Sequence, residues 1–213
     1  MRQIFVFVAL TMLLGSTSQL KAGEVDFEFE GHSYTIVTTG AVWSAASADA
    51  QGRIVEGVPG HLCIIESEAE NTAIFDKMIE AGIDTVAQNG GGIIYGWLGG
   101  SDTSASIPGA SEGEFFWVDG SQFWTGGSNG SAFGGAYTHF GRPQEPDNFS
   151  MQHHVGLALE DWVFGEASEW NDVNSEDLGN ALGYCIEFDL SDAAIFADGF
   201  ESGNTSGWTG AVP

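Results

Sequence analysis

Apolar and polar residues alternate strictly from Val25 to Glu30, with Val25, Phe27 and Phe29 on one side and Asp26, Glu28 and Glu30 on the other. A period of two over this length predicts a half-buried strand. Gly31-His32-Ser33 then reads as a turn and Tyr34 to Val37 as the returning strand. The period changes at Trp43: Trp43, Ala46 and Ala50 fall at helical spacing within an Ala-rich run. Leu62 to Ile65 is a short apolar strand. Ser67-Glu68-Ala69-Glu70 fits a capping box opening a helix to about Ala81, with Ile74, Phe75, Met78 and Ile79 as its inward stripe and Gly82 ending it.

Between Gly90 and Gly135 the chain is dominated by Gly, Ser and aromatic residues, with strand-like islands at Ile93 to Leu98 and Glu114 to Val118. An Asp119-Gly120 turn follows the second. Residues 126 to 154 show no convincing period, and so long an unpatterned stretch inside a domain predicts a functional loop. Val155 to Leu159 and Gly183 to Phe188 read as closing strands. No internal repeat is visible.

Composition narrows the class. Of 213 residues 31 are Gly, which a helical bundle tolerates poorly because each interior Gly costs roughly 1 kcal/mol. A loop-rich α+β or all-β domain remains. With 30 acidic against 5 basic residues and a net charge of −25, the chain lacks the basic surface that nucleic acid or anionic lipid requires. Yet 43% of its residues are hydrophobic and only 16% charged, which separates it from acidic disordered chains.

Arg2, the apolar run Ile4 to Leu14 and the small and polar residues up to Ala22 have the layout of a secretory signal peptide, too short for a stable bilayer span. Residues 1–22 are therefore expected to be removed, with cleavage after Ala22, or after Ser18 as the alternative, and no membrane span is predicted beyond them. Export permits a disulfide between the two cysteines, Cys63 and Cys185. The bond is the expectation, and two buried thiols in neighbouring strands are the alternative. Neither cysteine has a zinc-ligand spacing.

Two stretches concentrate hard oxygen groups: Glu145-Pro146-Asp147-Asn148 in the unpatterned loop, and Trp170-Asn171-Asp172 after Glu169. Calcium takes six to eight oxygens at ~2.3–2.6 Å and accepts irregular geometry. A cis Pro146 would aim both flanking carboxylates to one side. In so acidic a chain, solvated turn residues are the plain alternative.

The order of the motifs decides between them. Gly60-His61-Leu62-Cys63-Ile64-Ile65, Glu70-Asn71, Trp97-Leu98-Gly99-Gly100-Ser101-Asp102 and Phe116-Trp117-Val118-Asp119-Gly120-Ser121 come in sequence. Tyr137-Thr138-His139-Phe140, Glu145-Pro146-Asp147-Asn148, Trp170-Asn171-Asp172 and Gly183-Tyr184-Cys185-Ile186-Glu187-Phe188 follow. From Gly31 to Asp189 the chain resembles a C-type lectin-like domain. The resemblance implies an α+β fold with two helices, two small antiparallel sheets, paired N- and C-terminal strands and a long irregular loop. Trp97, Trp117 and Trp170 take core positions in it. It also implies Ca2+ held by Glu145, Asp147, Asn171 and Asp172, with Pro146 cis and a sugar's vicinal hydroxyls completing the coordination. Gln152 stands where the family usually has a glutamate, and can give a carbonyl oxygen; His153 and His154 are expected to pack or face solvent.

The sequence departs from the family pattern in two further ways. Glu145 and Asp147 are both acids, where the family pairs an acid with an amide. Only Asn171 is then left as an amide donor to the sugar, and the mannose-versus-galactose rule does not apply. The family's usual disulfides are missing: Ala50 stands at one cysteine position, and Cys185 lies one position before another.

Residues 23–189 are thus expected to form the domain. Residues 190–213 are similar to a short tail recurring on exported bacterial proteins, a candidate sorting or attachment signal. The function implied is a secreted, calcium-dependent carbohydrate-binding module whose partner is a glycan or glycosylated surface. The alternatives are a protein-binding or adhesin domain in which calcium only orders the loop, or an ice-binding scaffold. No H-E-x-x-H, G-x-S-x-G or phosphate-cradling loop is present, so no catalytic residue is assigned.

Overall fold

The computed structural model describes residues 23–141, 143–176 and 179–190. The stretch expected to be a signal peptide, residues 1–22, and nearly all of the expected tail at 190–213 lie outside the described residues. The predicted opening hairpin forms as β1 (Glu24–Phe29) and β2 (His32–Ala41), in register from Glu24↔Val37 to Phe29↔His32. Helix α1 (Trp43–Gly52) follows, then β3 (Ile54–Val55), β4 (Val58–Pro59) and β5 (His61–Leu62). Of the apolar run Leu62 to Ile65, expected as a strand, only Leu62 falls in β5, although Cys63 and Ile65 stay fully buried.

Helix α2 spans Glu68–Ala81. Ser67 Oγ accepts from the Glu70 amide at 3.1 Å, and Gly82 closes the helix at φ +80°, a left-handed conformation that glycine adopts without penalty. Only half of the capping box forms. The Glu70 carboxylate instead accepts from the Glu66 amide at 2.7 Å and the Tyr34 hydroxyl at 2.8 Å. The buried face of α2 is Glu70, Asn71, Ile74 and Met78; Phe75 is half-buried and Ile79 is 49% exposed, against expectation. The helix is rotated by its polar contacts, since Asn71 accepts from Trp170 Nε1 at 2.7 Å and donates to the Ser168 carbonyl at 3.0 Å.

The second half contributes β6 (Tyr95–Ser101), β7 (Glu114–Trp117), β8 (Gln122–Thr125) and β9 (Ser131–Ala132). After the long loop come β10 (His154–Ala158), β11 (Trp170–Val173) and β12 (Leu182–Phe188). Strands β1, β2, β12 and β5 form one antiparallel layer; β6 to β9 with β10 and β11 form the other. They join where β12 and β6 run parallel for two residue pairs, Gly183↔Gly96 and Tyr184↔Trp97. The two small antiparallel sheets are thereby continuous. Glycine is required at this junction, because a Cβ on Gly183 would meet the Val37 carbonyl oxygen at 2.9 Å.

Period-two alternation divides the core. Tyr34, Ile36 and Cys185 pack with Ile74 and Met78 on the α2 side, while Val37, Tyr184 and Ile186 pack with Trp43, Ala46 and Ala50 on the α1 side. Cys63 and Cys185 are bonded, adding a covalent tie to the Cys63 amide–Cys185 carbonyl hydrogen bond. Trp97, Trp117 and Trp170 are all core residues, the first and last fully buried.

Candidate functional site

The long loop owes its shape to β11. The Trp170 amide donates to the His139 carbonyl, the Gly141 amide to the Trp170 carbonyl, and the Glu145 amide to the Gly141 carbonyl. Trp170 itself is seated edge-on against Phe123, Phe140 and Tyr137, at ring separations of 5.7–6.0 Å. Farther along, Asp172 accepts from the Asp147 amide at 3.1 Å and the Asn148 amide at 2.8 Å, and the Asn174 side chain donates to the Ser150 and Met151 carbonyls. The Glu145-Pro146 peptide is cis. Asn148, Ser150 and Met151 hold φ of +52°, +61° and +63°. Each such non-glycine conformation costs on the order of 1 kcal/mol and persists where the surroundings impose it.

These constraints build an open cleft of about 380 Å³ lined by Asn89, Gly91, Glu145, Asp147, Phe149, Gln152, Trp162, Phe164 and Asn171. Four of the five residues expected as metal ligands face it. The fifth, Asp172, is buried directly behind, with carboxylate oxygens of Glu145, Asp147 and Asp172 within 4.8 Å of one another. Glu145, Gln152 and Asn171 are 2–3% exposed, and among the described residues nothing donates to Glu145 Oε2, Gln152 Oε1 or Asn171 Oδ1. The amide nitrogens are engaged elsewhere. Gln152 donates to the Asn89 carbonyl, and Asn171 donates to the Tyr95 hydroxyl at 3.0 Å. Asn171, read from the sequence as the amide donor, therefore commits an N–H to Tyr95 and leaves its oxygen without a donor.

A buried acceptor without a donor costs ~1–3 kcal/mol, so several converging on one cleft mark a place for an electropositive group. The electrostatics agree. Burial foremost, and then the charge of Asp147, push Glu145 up to about 7; burial likewise raises Asp172 well above the usual carboxylate range. Two carboxylates and two amide carbonyls at the cleft, with a third carboxylate behind them, form the all-oxygen donor set that calcium favours. The residues present fit that ion.

His153 and His154 stay out of the cleft. His154 is buried under Trp43, with ring centroids 4.8 Å apart, and burial lowers it to about 4. His153 Nδ1 lies 2.9 Å from Asp102 Oδ1. The sequence reading missed the aromatic wall formed by Trp162, Phe149 and Phe164. Its signal was the apolar run Trp162-Val163-Phe164 between acidic residues: Phe149 and Phe164 are 62% and 40% exposed, and exposed apolar side chains lining a cleft suggest a binding surface.

Among solved structures, the C-type lectin CEL-I from Cucumaria echinata is similar at 20% identity and a TM-score of 0.55, covering 80% of this chain and 98% of that one. The Ca2+-independent C-type lectin SPL-2 from Saxidomus purpuratus is 18% identical with a TM-score of 0.52, covering 81% and 95%. An SPL-1–GlcNAc complex is 19% identical with a TM-score of 0.50, covering 79% and 94%. No family model and no curated protein matches the sequence. Two helices flanking joined antiparallel layers, a long loop folded over β11 and this breadth of structural likeness establish the chain as having the C-type lectin-like fold.

Proposed function

We propose that the chain is a secreted, calcium-dependent carbohydrate-binding module, exported through residues 1–22, with its binding domain at 23–189 and a tail at 190–213 that serves in sorting or attachment. The observation that carries this reading is the set of donorless buried oxygens on Glu145, Gln152 and Asn171 around a single cleft. Glu145, Asp147, Gln152, Asn171 and Asp172 would hold Ca2+. The ion would supply the local field by which a neutral, well-hydrated sugar competes with water.

The protein's own groups account for the rest. Glu145 and Asp147 accept hydrogen bonds from sugar hydroxyls. Asp172 fixes the loop through the Asp147 and Asn148 amides. Trp162, Phe149 and Phe164 offer apolar faces to the C–H side of a pyranose ring. With acceptors concentrated at the cleft, the preferred ligand presents two donating hydroxyls, and epimers are discriminated less than tenfold.

The structural neighbours include both an SPL-1–GlcNAc complex and a lectin described as Ca2+-independent, so the two halves of the proposal need separate tests. A glycan array is run in calcium and in chelator, beside the melting temperature in both, for the natural chain and for Glu145→Ala and Asn171→Ala. Glycan signals and a calcium-induced rise in melting temperature should both vanish in the variants. Glycan binding that survives in chelator or in both variants rejects the assigned ligands. A calcium-raised melting temperature with an empty array points instead to calcium-ordered protein binding.

A further inference from the structure

We infer that His32, His61, Glu187 and Asp189 form a site for a divalent transition-metal ion of the zinc class, sharing no residue with the cleft. His32 opens β2, His61 lies on β5, Glu187 is near the end of β12, and Asp189 follows it. His32 Nδ1 stands 2.8 Å from Glu187 Oε1 and 3.1 Å from Asp189 Oδ1, and His61 Nε2 stands 3.2 Å from Asp189 Oδ2. One ligand atom from each of His32, Glu187 and Asp189 lies within 4.8 Å of the other two. His61, Glu187 and Asp189 also line an open cleft of about 290 Å³ together with His32.

The surrounding hydrogen bonds fix the donors in a ligating orientation. His61 Nδ1 lies 3.0 Å from the Leu62 carbonyl, which can only accept, so Nδ1 carries a hydrogen and Nε2 is the atom turned to Asp189. A backbone carbonyl holding the far nitrogen of an imidazole is the usual support of a metal-bound histidine. Glu187 is arranged similarly: Oε2 accepts from the Ile64 amide at 3.0 Å, leaving Oε1 toward His32. Two imidazole nitrogens face two carboxylates across 2.8–3.2 Å, the spacing of a shared proton, whose place a metal ion can take with release of that proton. A tetrahedral site with bonds of about 2.0–2.1 Å separates its donors by about 3.3 Å; His32 already stands 2.8 and 3.1 Å from Glu187 and Asp189, whereas His61 meets only Asp189, at 3.2 Å, and completes the set by moving toward His32 and Glu187. Two imidazoles with two carboxylates select zinc-class ions over calcium. All four residues sit on or beside paired strands, so the ion would join the start of β2, β5 and the end of β12, where the chain leaves toward residues 190–213.

The full chain, stripped of metal and returned to calcium-containing buffer at pH 7.5, is titrated with zinc sulfate by calorimetry. One equivalent should bind, at least tenfold more weakly in His61→Gln and in Asp189→Asn, and unchanged within twofold in Glu145→Gln. Zinc at a hundred times Kd should raise the melting temperature by about 5–10 °C. Cobalt in its place should give the visible absorption of a four-coordinate ion, absent from the His32→Gln/His61→Gln double variant. If a histidine variant does not fold, Asp189→Asn, at a side chain 45% exposed, gives the same reading. Absence of saturable zinc binding overturns the inference and leaves three imidazole–carboxylate hydrogen bonds. Zinc binding that Glu145→Gln abolishes while His61→Gln retains it also overturns the inference, by moving the ion to the cleft.

Discussion

The cleft at Glu145 and the cluster at Glu187 are both acidic, and they differ in what faces the carboxylates. At the cleft the neighbours are amide oxygens and other carboxylates, and Glu145 Oε2, Gln152 Oε1 and Asn171 Oδ1 have no donor among the described residues. At the cluster each carboxylate meets an imidazole nitrogen, and Glu187 also meets the Ile64 amide and lies 3.4 Å from the Tyr34 hydroxyl. Negative charge alone therefore does not define a site's chemistry. An all-oxygen set suits a hard cation, whereas a mixed nitrogen–oxygen set suits a softer one. The supports differ as well: a loop held against β11 forms the first, and strand ends clamped by the disulfide form the second.

The disulfide gives the largest expected effect. The Cys63→Ser/Cys185→Ser double variant should lose about 4 kcal/mol of stability, on the order of 10 °C in melting temperature. It should weaken zinc binding more than calcium binding, because Cys63 and Cys185 lie two residues from His61 and Glu187 and belong to no part of the cleft. Equal losses at both sites would erase the distinction in support. Next, Glu145→Ala should lower calcium affinity at least about 100-fold, roughly 2.7 kcal/mol, and leave zinc affinity unchanged in calorimetry.

A third test separates the cleft from its flank. Asp102, 1% exposed, is raised to about 6 chiefly by burial, against the opposing pull of the Gly113 amide and His153. Its unfolded form loses the proton near 3.9, so the native state binds more protons between about pH 4 and pH 6, and stability falls as pH rises through that window. The cost is roughly 2–3 kcal/mol. Metal-free melting curves should show the decline, and Asp102→Asn should flatten part of it; the rest belongs to Glu70, Glu145, Asp172 and Glu187, which are also raised. The smallest effect is expected from Trp162→Ala: sugar affinity should fall about tenfold, near 1.4 kcal/mol, with calcium affinity unchanged. A matching loss of calcium affinity would show that Trp162 supports the ligands and does not contact the sugar.

Legibility along the chain followed local repetition. The opening hairpin, both helices and the closing strand carry a period of two or 3.6, and each forms within a few residues of its expected place. Strand β11 carries no such signal, because Trp170, Asn171, Asp172 and Val173 are all buried and two of them are polar. Strands β8 and β9 were hidden in Gly- and aromatic-rich sequence, because Phe123 and Trp124 of β8 pack on Phe140 of the long loop and β9 is only two residues long. The proposed ligands Glu145, Asp147, Asn171 and Asp172 were legible as oxygen-rich motifs. The orientation of the site's amides was not, since Tyr95 and Asn89, which hold Asn171 and Gln152, lie 76 and 63 residues away.

The sequence by itself determined the alternating strands, the capped helix, the absence of a basic face and the two oxygen-rich stretches, because periodicity, capping and charge are properties of near neighbours. Only the tertiary structure decided that Asp172 stands behind the cleft, that Trp162 walls it, and that His32, His61, Glu187 and Asp189 meet. Those outcomes depend on strand register and loop closure, through which residues distant in the chain satisfy, or leave unsatisfied, one another's polar atoms.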